Sequence, residues 1–290
     1  MAVYGRSYRR FTGALTPEWS RFLIFPRYAY ESVFKSKLFV AFYALCFLVP
    51  FAGLLIIYLH HNLSALSFLQ LPADDLKRFL PIDNAFFHSG TWFQGAAAFV
   101  LVLLVGPALV SPDLRNNGLA LYLSRPFSRT EYILGKMSVL LILLSAITWI
   151  PGLILFFFQS YLEGNGWFGD HLRLGWAIFI GSWAWILFLS LMALAVSAWV
   201  KWKPVARIAL MVIFFVTIGF GAAINEILDS WWGMLFSGWV VIASIWNDLF
   251  MRGVSDELPP PGAAWAALIA GSLLCLWLLS RRIRAYEVVR

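Results

Sequence analysis

Charge is scarce in this 290-residue chain: 13% of its residues are Asp, Glu, Lys or Arg, against 61% that are hydrophobic. A water-soluble domain has no use for so much apolar surface, so composition points to a polytopic membrane protein. Cysteine is almost missing. Cys46 and Cys275 both fall inside apolar runs, which argues against a disulfide scaffold or a zinc cluster. The first 37 residues are polar and basic, with no short apolar stretch closed by small residues, so no cleavable signal is expected and the first span serves as the anchor. Internal repeats, low-complexity tracts and long linkers are also lacking. The expected organisation is an amphipathic arm at 1–37 followed by one membrane domain at 38–290.

The motifs of self-contained catalysis are missing as well. Gly135-Lys136 is followed by Met137, and Thr130 stands where a phosphate loop needs its first glycine. No paired-histidine zinc motif and no Gly-x-Ser-x-Gly elbow occurs. No catalytic, cofactor-binding or metal-binding residue is therefore expected in this chain. His60, His61, His88 and His171 could join Asp74, Asp75 or Asp83 at a metal, but their spacing fits no recognised ligand set.

Apolar runs long enough to cross a bilayer are plentiful. A crossing helix needs about 20 mostly apolar residues, and six segments qualify: 38–59, 91–111, 137–160, 174–199, 206–225 and 263–280. A shorter stretch at 230–246, rich in Trp and interrupted by Gly233 and Gly238, does not. With six spans, 18 of the 22 Lys and Arg fall on the side of both termini, whereas ten of the 15 acidic residues fall on the other. The excess of basic residues places both termini in the cytoplasm. A seventh span would move Arg281, Arg282 and Arg284 outside, so 228–250 reads as a re-entrant or interfacial hairpin. The fold class is an all-α polytopic membrane protein, and the expected location is the inner (plasma) membrane.

Aromatic and basic residues alternate before Lys35 and Lys37, as in an amphipathic helix lying on the cytoplasmic leaflet and broken near Pro26. The span interiors carry no Asp, Glu, Lys, Arg or His, which argues against ion-coupled transport and leaves any work to an outside energy source. Gln94, Ser145, Thr148, Ser182, Ser190 and Thr217 are polar at depth and suit hydrogen bonds between helices. Small residues at Ala266, Ala270, Gly219, Ala222 and Ala223 allow close helix packing, within the chain or between two copies.

The loop between spans two and three carries the densest local signals. Ser111-Pro112-Asp113 reads as a helix restart, with Ser111 as cap and Pro112 at the first helical position. A short helix over about 112–123 would display Leu114, Leu119, Leu121, Tyr122 and Leu123. Arg125-Pro126 breaks it, and Ser128 with Glu131 forms a capping box around Arg129. The result is a stiff helix-turn-helix. It is either a membrane-surface elbow whose basic residues meet lipid phosphates, or a docking knob for a cytoplasmic partner.

Asp113-Leu114-Arg115, Gly118-Leu119 and LSRPFSRTEYILGK at 123–136 make this chain resemble the permease subunits of ABC exporters of the ABC-2 class. The resemblance is tight over about 25 residues and loose over the six-span layout; it departs from the family pattern at Asn116-Asn117-Gly118. It implies an N-terminal connecting helix, a coupling helix between spans two and three, and re-entrant helices before span six. It also implies a second permease subunit, identical or homologous, and two cytoplasmic ATPase subunits that bind ATP and Mg. By the same resemblance, Asp113, Leu114, Arg115, Leu119, Tyr122, Arg125, Pro126, Arg129 and Glu131 would dock the ATPase, and the arm from Arg10 to Lys37 would lie beside it. Membrane lipids are expected partners and nucleic acid is not. Two rivals stand beside the exporter: a lipid-modifying enzyme using the outer His and Asp residues, and a scaffold that couples an ATPase to other machinery.

Overall fold

The computed structural model describes residues 24–62, 81–116, 129–164, 166–228, 230–253 and 258–282, and none of these residues is in a strand. Helix α1 (Ile24–Phe34) precedes α2 (Lys37–Leu45) and α3 (Leu48–His61), which together make span 1. The long α4 (Asn84–Arg115) is span 2, and α5 (Arg129–Ile147) with α6 (Trp149–Glu163) makes span 3. A single turn, α7 (Trp167–Asp170), leads into span 4, α8 (Leu172–Trp199), and then span 5, α9 (Lys203–Leu228). A 3-10 turn (Trp232–Phe236) and α10 (Gly238–Leu249) lie before span 6, α11 (Pro261–Arg282). Six helical stretches are thus long and apolar enough to cross a membrane, and the predicted apolar runs fall within them. The chain is an all-α, multi-pass membrane protein.

Helix α8 forms the centre, touching α4, α5, α6, α10 and α11. In its most apolar window 67% of residues are buried, against 17% in span 5 and 22% in spans 1 and 6. The bare faces of those outer spans are apolar, which suits contact with lipid.

Prolines decide where the spans bend, because each lacks the N–H that would close a helical bond to the carbonyl four residues earlier. Pro50 leaves Cys46 O without a helical partner, and span 1 breaks between α2 and α3. Gln94 Nε2 crosses from α4 to donate to that carbonyl at 3.0 Å. Pro107 likewise frees Leu103 O within α4, and Arg207 Nε on α9 donates to it at 3.0 Å. Span 3 breaks at Thr148, three residues before Pro151, and Thr148 Oγ1 donates back to Leu144 O at 2.7 Å. Away from water an unmade backbone bond costs several kcal/mol, roughly 4–8 on an alkane scale. Spans 1 and 3 are therefore two helices each, where the apolar runs alone suggest one.

One local expectation is overturned. Ser111 does not restart a helix: α4 runs unbroken to Arg115, with Pro107 and Pro112 inside it. Instead Ser111 Oγ donates to Ser197 O on α8 at 3.2 Å. That carbonyl is free because α8 ends at Trp199, so residue 201 returns no N–H to it. Pro26 lies near the start of the described part of α1, and the arm before residue 24, where the expected break would show, lies outside the described residues.

Candidate functional site

The loop expected to matter most is anchored at both ends by ordered structure. Asp113, near the end of α4, accepts a hydrogen bond from Tyr132 Oη on α5 at 2.7 Å and an ion pair from Lys136 Nζ at 2.9 Å. Both charged side chains are largely enclosed, 16% exposed for Asp113 and 12% for Lys136. Tyr132 is fully buried, and Lys136 Nζ also lies 5.7 Å from its ring centre. A carboxylate held by a phenol and an ammonium in this setting is bonded more strongly than a surface pair. The acidic residue and the Gly-Lys step of the sequence motif thus meet in space and bolt span 2 to span 3 on either side of residues 117–128.

Other contacts extend this frame. Arg115 places its guanidinium 4.8 Å from the Trp202 ring, between the ends of spans 4 and 5. Arg282 lies over Trp199 at 5.6 Å, and Trp199 Nε1 donates to Leu278 O at 3.3 Å. Helix α1 packs on α5, where Tyr30 Oη donates to Val139 O at 3.5 Å. Burial, with Tyr43 adding to it, pushes the Tyr30 phenol up to about 12 and keeps it neutral. On the same helix Glu31 bonds Lys35 at 2.8 Å, which lowers its carboxyl below the usual range.

Of the remaining predicted site residues, Leu114 lies in the last turn of α4, and Arg129 and Glu131 lie in the first turn of α5. A negative side chain such as Glu131 suits the positive end of a helix. Leu119, Tyr122, Arg125, Pro126 and Ser128 lie outside the described residues, and with them the predicted 112–123 helix beyond Asn116 and the capping box.

A second arrangement, not foreseen from sequence, fills the middle of the bundle. Trp246 of α10 is 1% exposed and wedges between α4 and α8. Its Nε1 donates to Gly181 O at 3.1 Å, while Trp185 Nε1 donates to Gly95 O at 3.0 Å. The ring fits only because Gly95 and Gly181 have no side chain: a Cβ on Gly181 would lie 2.8 Å from it, and one on Gly95 would overlap it. Trp92, Trp185, Trp239 and Trp246 meet edge to face, with centroids 4.8 to 6.5 Å apart. The 3-10 turn presses Gly233 onto Gly221 of α9 backbone to backbone. The small residues named from sequence, Gly219, Ala222, Ala223, Ala266 and Ala270, are exposed.

The polar residues at depth behave unequally. Gln94 joins two helices, whereas Thr148 and Thr217 bond carbonyls of their own turns. At the opposite end of the bundle His60 and His61 lie together, ring centres 5.2 Å apart, and the other two histidines stand elsewhere. His61 lies 2.9 Å from Glu163 Oε2, His88 stands against Trp92 and Phe250, and His171 stacks on Trp167. Asp83 caps α4 by accepting from Phe86 N at 3.0 Å. Among the described residues no three His, Cys, Asp or Glu side chains come together as a metal site; Asp74 and Asp75 lie outside them.

The sequence matches no protein-family model and no curated protein.

Proposed function

We propose that this chain is the non-catalytic transmembrane subunit of an ATP-driven exporter of the ABC-2 kind, with residues 113–136 as the handle gripped by a separate cytoplasmic ATPase. The observation that carries the reading is the Asp113–Tyr132–Lys136 bolt. It makes the two ends of the loop one rigid body, so a push on residues 117–128 moves α4 and α5 together. Ser111 hands the displacement to α8 through Ser197 O. The breaks at Thr148 and between α2 and α3 are where bending is cheapest, because helical bonds are already missing there.

In this reading both termini and the basic end of the bundle face the cytoplasm, the hairpin at 230–249 dips into the membrane from outside, and the complex sits in the plasma membrane. Exposed small residues on spans 5 and 6 suit a second permease subunit, identical or homologous. Arg115, Lys201, Lys203, Arg281 and Arg282 are exposed at the basic end and suit anionic lipid headgroups. ATP and Mg belong to the partner. The scaffold reading uses the same handle and differs only in whether solute moves.

The test is purification of the full chain from its own membranes in mild detergent. A separate ATPase is expected to co-elute in fixed ratio with Mg-dependent ATP hydrolysis. Arg125→Glu with Arg129→Glu should remove at least nine-tenths of the ATPase while the chain still reaches the membrane, since reversing two charges at an interface costs roughly 2–5 kcal/mol. An unchanged ratio in that variant would sink the docking assignment.

A further inference from the structure

Pro50 and Pro151 border a cavity of about 300 Å³ between α3, α4 and α6. Both prolines line it, together with Gly53, Gly90 and Gly152. Among the described residues no charged side chain contributes to its wall, which is overwhelmingly apolar. Its volume is at the lower end of small-molecule sites. Val49 and Phe93, 40% and 60% exposed, stand at its edge on faces where lipid would lie.

Two wall residues are polar and nine-tenths buried, and one of them, Thr148, commits its hydroxyl to Leu144 O at 2.7 Å. Gln94 is 6% exposed, and its Oε1 has no hydrogen-bond partner. The amide cannot be turned round to cure this. Cys46 O, freed by Pro50, is an acceptor and needs the Nε2 donor, so the oxygen is the group left over. The nearby hydroxyls of Ser89 and Thr91 are committed to helix carbonyls at 2.8 and 3.0 Å. Gln94 lies ten residues into α4, about 15 Å from its start, too deep for bulk water to serve it.

We propose that this cavity binds a compact neutral amphiphile from the bilayer: an apolar body with one hydroxyl or amide N–H, which donates to Gln94 Oε1. An anion or cation is disfavoured because nothing in the wall would pair with it. On binding, Oε1, screened from solvent in the structure, turns to the donor while Nε2 keeps Cys46 O. The site goes beyond the permease reading, because it needs only the membrane fold and no ATPase.

The test uses the full chain in lipid nanodiscs and a medium-chain fatty alcohol carrying a diazirine, with adducts located by mass spectrometry. Adducts are expected at Ile56, Phe93 and Leu155. Dodecanol should displace them about five- to tenfold better than dodecyl methyl ether, which has the same body without the donor. Gly90→Leu, at a position where an added Cβ meets nothing within 4 Å, should fill the space and remove the adducts. Because Gln94→Leu alone strands Cys46 O, it is combined with Pro50→Ala, which returns a helical N–H to that carbonyl. This pair should keep the labelling and lose the alcohol's advantage. Equal competition by alcohol and ether in the wild-type chain overturns the proposal. So do adducts that persist in Gly90→Leu, or that fall as densely on lipid-facing residues such as Phe215 and Leu273.

Discussion

Two glycines on α4 look alike in sequence and differ entirely in duty. Gly95 makes room for the Trp246 ring, whereas a Cβ on Gly90 would meet nothing within 4 Å. Gly95→Ala should therefore lower the thermal unfolding midpoint in detergent by several degrees, since overpacking costs about 1–3 kcal/mol. Gly90→Ala should leave it unchanged or raise it, because alanine gains about 1 kcal/mol of helix propensity. Trp246→Ala should be the most damaging of the three, at roughly 3–5 kcal/mol for a fully buried tryptophan. Equal midpoints for the two alanine variants would contradict the wedge. The sequence FQGAAAF shows that close approach is possible at Gly95 but not what approaches, since Trp246 comes from a segment 151 residues away. Arg207 is a similar case. Pro107 announces a carbonyl in need of a donor, and only the fold says that a cation four residues into the next-but-two span supplies it.

At the scale of elements, the bolt between α4 and α5 makes the sharpest claim. Lys136→Met leaves a mostly enclosed carboxylate with Tyr132 as its donor, and Asp113→Asn removes the carboxylate that Lys136 pairs with. The double variant should cost less stability than the sum of the two single changes. A double-mutant cycle read from unfolding midpoints should give a coupling of about 1–3 kcal/mol. A coupling near zero would mean that the pair is incidental and the loop's ends are not held together. The six spans were legible because bilayer thickness imposes a length that any apolar run must meet. The breaks in spans 1 and 3 were legible in principle from Pro50 and Pro151, but apolarity alone does not tell a tolerated proline from one that splits a helix. Ser111 misled for a related reason. A serine before proline is a fitting helix cap, and here the hydroxyl finds a free carbonyl on a neighbouring helix instead.

For the whole molecule, the proposed sidedness, read from the basic residues, can be tested by labelling. Cys46 and Cys275 are both buried, so an introduced thiol reports on its own position. A membrane-impermeant maleimide should label Asn62→Cys in intact cells and Ser128→Cys only after the membrane is opened. The reverse pattern would invert the topology and remove the handle from the ATPase's reach. Among the described residues His61, His88 and His171 meet separate partners, and His60 lies against His61. Docking against lipid contact at the 117–128 loop is decided most directly by placing a photoreactive phenylalanine analogue at Tyr122 and irradiating cells. A cross-link from that position to a separate ABC-type ATPase is expected, with a yield that changes when ATP is depleted. Adducts confined to lipid or to this chain itself, with the protein correctly inserted, would contradict it.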